Sequence, residues 1–161
     1  DKGIIELTKA FEKINKKNNV VLFFVGPVED KKLIYCFKNK KKILHFDFSN
    51  NPQNWFLLAD ILCIPSHREG FGTVVIEAAS CGTPAICSKI YGLYDSILEH
   101  KTGFFHKVNN INDIKKKMLY AINNKNLIKR YGLSAKKRVL KDFQQSLLSK
   151  ELLKFIKSNI T

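Results

Sequence analysis

The amino-acid sequence predicts an α/β protein with a Rossmann-like, doubly wound parallel sheet and helices on both of its faces. Short apolar, β-branched runs such as 20–25 alternate with longer segments whose apolar residues recur at helical spacing, such as 3–17. Glycine and proline end several of the apolar runs, as Gly26-Pro27 does after residue 25. Strands that alternate with helices are joined by crossovers, which produce parallel sheets covered on both faces.

The predicted elements keep this alternation along the chain. Residues 20–25 form an uninterrupted apolar run, which is typical of a buried parallel strand. Pro52 begins one helix, and Gly82 ends the helix that follows Gly72. The predicted strands are 20–25, 42–46, 61–64, 84–87 and 103–105. The predicted helices are 3–17, 30–39, 52–60, 73–81, 93–99, 111–123, 125–131, 134–142 and 144–157.

Length and composition limit the class of protein. The 161 residues predict a single domain, residues 1–161, with a buried core. There is no apolar run of about 18 residues and no signal-peptide pattern, so we expect a cytoplasmic protein without a membrane span. Cys63 and Cys87 lie in apolar runs and are expected to be buried, reduced thiols. The histidines are scattered and the chain has no D-x-D, so we predict neither a metal site nor a cofactor.

The net charge of +14 comes almost entirely from lysine. The simplest interpretation of runs such as 115–117 and 136–141 is a set of solvated helix and loop faces. The alternative is attraction to an anionic surface, which would give peripheral contact with the inner face of a membrane or with lipid-linked phosphate. The basic runs carry few arginines and no interleaved aromatics, so we do not expect nucleic acid as a partner.

The most informative segment is PSHREGFGTVVIEA, residues 65–78. Gly70 and Gly72 indicate that Glu69 lies in a turn, whereas Glu77, eight positions later, lies inside the following helix. The backbone amides of 71–74 then point outward at the positive end of that helix, which is an anion site suited to phosphate. The two carboxylates can accept hydrogen bonds from hydroxyls on either side. A sugar–diphosphate–ribose ligand has this order of groups.

Glu69 and Glu77 match the E-x7-E motif, and the chain resembles family 4, the group 1 glycosyltransferases, which are retaining enzymes with the GT-B fold. The resemblance covers roughly residues 1–145 and keeps the order of the family's motifs. These motifs are Asp1-Lys2-Gly3, Val25-Gly26, Ala59-Asp60, Pro65-Ser66, Glu69-Gly70-Phe71-Gly72, Glu77-Ala78, Gly82-Thr83-Pro84 and Thr102-Gly103.

The resemblance implies a role for each matching residue. Glu77 would bind the ribose hydroxyls, and Glu69 would contact the donor sugar as the catalytic residue, either stabilising charge on the anomeric carbon or only positioning the donor. Lys2 would bind the diphosphate in place of a metal, so that the enzyme is metal-independent. The groups that face the distal phosphate and sugar would be Gly70, Phe71, Gly72, Thr73 and Val74.

The nucleotide-binding residues would be Glu77, Gly26 and Phe48. Gly26 ends a strand, where backbone can approach the nucleotide closely, and the backbone of Phe48 would read the edge of the base. Asp47 stands where the family commonly has glycine, which leaves the choice of base open. Trp55 is expected to pack its helix against the sheet, with stacking on a ligand as the alternative.

The resemblance implies the donor-binding domain of an enzyme of polysaccharide or glycan synthesis. That enzyme would transfer a hexosyl or N-acetylhexosaminyl group from a nucleoside diphosphate sugar, with UDP as the expected nucleotide, to a sugar or lipid-linked glycan. The first, central strand of the sheet and the whole amino-terminal acceptor domain are expected to be missing, so that residues 1–161 alone would be inactive. Three alternatives remain: a nucleotide-sugar-binding module without catalysis, an epimerase of similar architecture, and electrostatic binding of nucleic acid.

Overall fold

Five short strands and six α-helices make up the part of the chain that the structure, a computed structural model, describes: residues 2–14, 19–28, 30–38 and 40–160. The strands are β1 (Leu22–Val25), β2 (Ile43–Phe46), β3 (Leu62–Ile64), β4 (Ala85–Ser88) and β5 (Gly103–His106). The helices are α1 (Ile4–Glu12), α2 (Pro52–Leu58), α3 (Thr73–Ser80), α4 (Ile111–Asn123), α5 (Lys125–Asp142) and α6 (Gln145–Asn159). Asp1 and the predicted end of the first helix, residues 15–17, lie outside the described residues.

All strand pairs are parallel, as predicted, but the described strands form two sheets. β1 pairs with β2, bringing Leu22 opposite Ile43. β4 lies between β3 and β5 in the second sheet, with Ile86 opposite both Cys63 and Phe104. Every parallel pair is joined by a crossover that contains a helical segment.

Helices cover both faces of the three-stranded sheet, which confirms the doubly wound prediction. Successive residues of a strand point to opposite faces, and the two apolar clusters follow this alternation. Ile86 and Phe104 pack with α1 and α4 on one face. Cys87 and Phe105 pack on the other face with Val75 of α3. The core therefore lies on both sides of β4, whose residues are all buried.

Four predicted helices differ from the structure. A 3₁₀ helix over Lys31–Cys36 replaces the helix predicted at 30–39. The helix predicted at 93–99 is absent: a 3₁₀ helix covers Tyr91–Leu93, and residues 94–99 form a turn and an irregular segment. The helices predicted at 125–131 and 134–142 are one helix, α5. Gly132 lies inside this helix, where it packs directly on the backbone of Gly82. A Cβ at this position would lie 2.0 Å from the carbonyl oxygen of Gly82, so a larger residue would not fit.

The first strand is less buried than its apolar sequence predicts. Val25 is 38% exposed, because β1 is an edge strand of a two-stranded sheet in the described residues. Trp55 of α2 packs as expected on this sheet, with its ring 5.5 Å from that of Phe23 and 4.5 Å from that of Phe46.

The expectation of buried cysteines is confirmed for Cys87 and in part for Cys63. All four are free; Cys87 is fully buried, and Cys63 is half-buried. Burial raises the pKa of Cys63 to about 12, which keeps the group a neutral thiol.

Candidate functional site

Residues 65–72, which we call the glutamate loop, carry Glu69 and connect the carboxyl end of β3 to α3. Gly72 has a φ of 71°, a left-handed conformation that favours glycine, and it occupies the N-cap of α3. Thr73 and Val74 then form the first turn, and Glu77 lies one turn further in with an exposed side chain. The sequence prediction of one carboxylate in the turn and one in the helix is what the structure shows.

Lys2 and Glu69 form an ion pair, with Nζ 2.7 Å from Oε1. The hydroxyl of Ser66 donates a second hydrogen bond to the same oxygen at 2.7 Å. The pair can form because Gly3 lies directly against the start of the loop, where a Cβ would be 2.1 Å from the carbonyl oxygen of Pro65. Gly3, with a φ of 65°, also serves as the N-cap of α1. One close backbone approach therefore brings the chain start to the glutamate loop.

Two opposing effects set the pKa of Glu69. Burial raises it, whereas the hydrogen bonds from Lys2 and Ser66 and the positive charge of Lys2 lower it. The hydrogen bonds and the charge together outweigh burial, so the pKa of Glu69 lies below its ordinary value and the group is a carboxylate at neutral pH. An ionised carboxylate only accepts hydrogen bonds, so Glu69 can bind a ligand hydroxyl that donates one.

Residues 92–93, which follow β4, pack against the glutamate loop and form what we call the wall behind it. A Cβ on Gly92 would lie 1.8 Å from the carbonyl oxygen of Glu69, so backbone meets backbone here. Leu93 is fully buried, and its Cδ2 atom would lie 2.4 Å from a Cβ on Gly72. A larger residue at Gly92 would displace the backbone of the glutamate loop, whereas one at Gly72 would clash with the Leu93 side chain.

A buried histidine lies at the carboxyl end of the same sheet. His106 ends β5, with Nε2 3.4 Å from Ser88 Oγ and Nδ1 2.9 Å from the carbonyl oxygen of Lys107. Burial lowers its pKa; the Lys107 carbonyl and Asp113 oppose that effect, and Lys117 adds to it. The folded chain therefore favours a neutral imidazole.

The structure places the other predicted nucleotide-binding residues on the β1–β2 sheet. Gly26 follows β1 with a φ of 133°, and its amide donates to the carbonyl oxygen of Phe46 at 3.0 Å. His45 Nε2 lies 2.8 Å from the Gly26 carbonyl oxygen. Phe48 is 73% exposed just beyond β2. Gly26 and Phe48 thus lie at the carboxyl end of the β1–β2 sheet, where ligands of open α/β sheets bind.

Neither a metal cluster nor a membrane-spanning helix occurs in the described ranges. No three His, Cys, Asp or Glu side chains within them come together in a way that could hold a metal ion. None of the helices described for this chain combines the length and apolar character that crossing a bilayer requires.

Sequence reasoning missed two parts of the site. It gave no role to Ser66, although a hydroxyl three residues before Glu69 can reach that carboxylate across a turn. It also missed the wall at 92–93. The isolated glycine after β4 is the signal that could have revealed it, because such a glycine often marks a close backbone approach.

Known proteins resemble the chain in sequence and in structure. The model of the family "Glycosyl transferases group 1" matches residues 1–138. A capsular polysaccharide biosynthesis glycosyltransferase, CapM of Staphylococcus aureus, is 30% identical over 158 residues, which cover 94% of this chain and 42% of CapM.

Two solved structures extend the comparison. HepE of Anabaena in complex with UDP superposes with a TM-score of 0.90 at 17% identity, covering 98% of this chain and 45% of HepE. A TarM variant of S. aureus in complex with Fondaparinux, alpha-GlcNAc-glycerol and UDP gives a TM-score of 0.79 at 26% identity, covering 92% of this chain and 31% of TarM. The chain thus spans less than half the length of these relatives.

Proposed function

The chain belongs to the family of group 1 glycosyl transferases, and from that premise we propose that it is the donor-binding domain of a retaining, family 4 enzyme. The parent enzyme would transfer a hexosyl or N-acetylhexosaminyl group from a UDP-sugar to a glycan or lipid-linked acceptor. The observation that carries the proposal is a row of groups along one loop and the helix it enters: Glu69, which pairs with Lys2, then the start of α3, and then Glu77 one turn into the helix.

Each group in this row suits one part of a nucleoside diphosphate sugar. Glu77, a turn into α3, accepts hydrogen bonds from the ribose hydroxyls. The amides of the segment Gly70–Val74, at the positive end of α3, bind the distal phosphate. Glu69, at the far end of the row, accepts hydrogen bonds from the donor sugar. Gly26 and Phe48 border the base from the β1–β2 sheet.

Lys2 has the charge that the leaving group needs. When the bond from the anomeric carbon to the diphosphate breaks, negative charge grows on the diphosphate oxygens, and a nearby ammonium stabilises that charge. In the structure Lys2 is 65% exposed on its side chain and is held by Glu69. The carboxylate of Glu69 thus keeps the ammonium at the site, and it can stabilise positive charge on the anomeric carbon in turn.

The relatives support the choice of donor and the class of acceptor. The TarM structure contains UDP and alpha-GlcNAc-glycerol, and CapM takes part in capsular polysaccharide synthesis. We infer from these similarities a UDP-sugar donor and a role in surface polysaccharide synthesis. The net charge of +14 is compatible with a cytoplasmic protein that approaches the anionic inner face of the membrane, where lipid-linked acceptors lie.

The domain assignment is part of the proposal. The chain covers 42% of CapM, so an acceptor-binding domain fits into the remaining length. The described strands pair as β1–β2 and as β3–β4–β5, and one further parallel strand between β1 and β3 would join them into a single sheet. We propose that this strand, the central one, belongs to the parent enzyme.

Calorimetric titration of the chain with UDP, GDP and ADP tests the proposal. We expect UDP to bind and a UDP-sugar to bind at least as well, while GDP and ADP bind more weakly. Short single-stranded DNA serves as the control for binding by charge alone, because such binding falls steeply as salt rises. A chain that binds no nucleotide, or binds the three diphosphates and DNA with the same salt dependence, would contradict the proposal.

A further inference from the structure

Arg138 on α5 joins that helix to the wall behind the glutamate loop. Its guanidinium donates from Nη1 to the carbonyl oxygen of Ser96 at 3.0 Å and from Nη2 to that of Asp95 at 2.6 Å. Its Nε atom lies 3.7 Å from the carboxylate of Asp142, one turn along α5, and its side chain is 15% exposed. An arginine that is mostly buried and bonded to two backbone carbonyls fixes the position of that backbone.

The backbone that Arg138 holds is continuous with the wall. Ser96 Oγ donates to the carbonyl oxygen of Leu93 at 2.7 Å. Leu93 in turn lies against Gly72, and Gly92 lies against the carbonyl of Glu69. A shift of 95–96 would therefore move 92–93 and, through them, both ends of the segment 69–72.

Arg138 reaches the same loop by a second route. Its Cζ atom lies 5.0 Å from the ring centroid of Phe143, at the C-cap of α5. The Phe143 ring contacts that of Phe71, with centroids 5.9 Å apart. Phe71 belongs to the glutamate loop and is 44% exposed, so this ring contact supports a side chain that is otherwise open to solvent.

We propose that Arg138 is a positioning residue for donor binding, which holds the 69–72 loop in place through the 95–96 carbonyls and through Phe143. The inference rests on the proposed function, because the loop matters only if its amides bind the distal phosphate. Lysine cannot replace arginine here, since a single ammonium lacks both the planar pair of donors and the flat face that stacks on Phe143. Arg138 touches no ligand in this account and acts through the loop alone.

The test compares UDP with UMP, because the loop contacts only the second phosphate. In Arg138→Lys we expect the affinity for UDP to fall about tenfold, while the affinity for UMP, measured by ligand-observed NMR, changes less than about twofold. Arg130→Lys is the matched control, since Arg130 is an exposed arginine of the same helix, and it should leave both affinities unchanged. Phe143→Leu should lower the affinity for UDP and leave that for UMP unchanged, whereas Phe143→Tyr, which keeps the ring, should bind UDP as the parent chain does.

A second measurement does not depend on ligand. In ¹⁵N spectra of the empty chain, Arg138→Lys should shift the amides of Phe71 and Gly72 and leave those of α4 in place. Unchanged loop amides together with parent-like UDP binding would overturn the proposal, and so would an equal loss of UMP and UDP. If the parent chain binds neither nucleotide, the proposed function fails and this role in donor binding fails with it. If the parent chain binds both and Arg138→Lys loses affinity for UDP only, the role of Arg138 is supported; if Arg138→Lys binds both as the parent does, that role fails while the proposed function stands.

Discussion

Lys2 Nζ lies 2.7 Å from Glu69 Oε1, so the cation proposed to face the diphosphate and the carboxylate proposed to face the sugar neutralise each other. The contact joins residues that are 67 positions apart in sequence. A donor that brings a diphosphate to Lys2 offers it a second, more negative partner. The bond that breaks joins the anomeric carbon of the sugar to a diphosphate oxygen, so the roles proposed for Glu69 and Lys2 place one group on each side of that bond.

The first prediction concerns the titration of Glu69. Burial acts on its pKa in one direction, and the hydrogen bonds from Lys2 and Ser66 and the charge of Lys2 act in the other. Replacing Lys2 by methionine should therefore raise the pKa of Glu69, as followed by the side-chain carboxyl ¹³C shift during a pH titration. Lys9→Met, which removes another exposed lysine, on α1, should leave the titration unchanged. An unaltered Glu69 curve in Lys2→Met would mean that the ion pair is not populated in solution.

The sequence predicted the five strands, their parallel pairing and the turn at Glu69, because apolar periodicity and glycine placement are local signals. It did not predict contacts that depend on distant backbone. It predicted two helices, 125–131 and 134–142, and only the packing of Gly132 on Gly82 shows why a glycine occurs inside one continuous helix. Arg138 carried no signal either, since the carbonyls of Asp95 and Ser96 come close to it only after folding.

The second prediction tests the ribose contact. Glu77→Ala should weaken UDP binding by roughly 1.5–3 kcal/mol, the range for a hydrogen bond to a charged acceptor. Thermal stability should hardly change, since Glu77 is exposed on α3 and alanine is a good helix former. Glu151→Ala is the matched control, because Glu151 is an exposed glutamate on α6. UDP affinity in Glu77→Ala equal to that of the control would remove Glu77 from the binding site.

The third prediction concerns the wall behind the loop. Gly92→Ala should destabilise the chain by about 1–3 kcal/mol, because its Cβ would meet the carbonyl oxygen of Glu69 at 1.8 Å and backbone must shift. The melting temperature should fall by about 2–4 °C for each kcal/mol lost. Gly70→Ala is the control in the same loop: a Cβ there has nothing within 4 Å. Equal melting temperatures for the two variants would contradict the close contact.

The fourth prediction is a pH dependence of stability. Burial holds the pKa of His106 below its ordinary value in the folded chain, so the unfolded chain takes up a proton that the folded chain excludes. The stability that this histidine contributes is present above about pH 6.5 and is lost as the pH falls from there through the folded pKa. Urea unfolding at pH 7.5 and 5.5 should show the loss.

Two asparagine variants compare His106 with an exposed histidine, His100. His106→Asn should reduce the difference in unfolding free energy between the two pH values. His100→Asn should keep it, because His100 is exposed and its φ of 61° is a conformation that asparagine tolerates. The same pH dependence in both variants and the parent would assign the effect to other groups.

The last prediction concerns what residues 1–161 do on their own. Retaining transfer needs the anomeric carbon held against an acceptor hydroxyl in a cleft that excludes water. The described residues supply groups for the donor, but Lys2, which pairs with Glu69, and Phe71 of the same loop are both exposed to solvent. We therefore expect the chain to bind UDP-sugar and to form no glycosylated product with labelled donor and lipid-linked acceptors. Turnover at about 1 per second or faster, as is common for enzymes, would show that the donor domain suffices for catalysis.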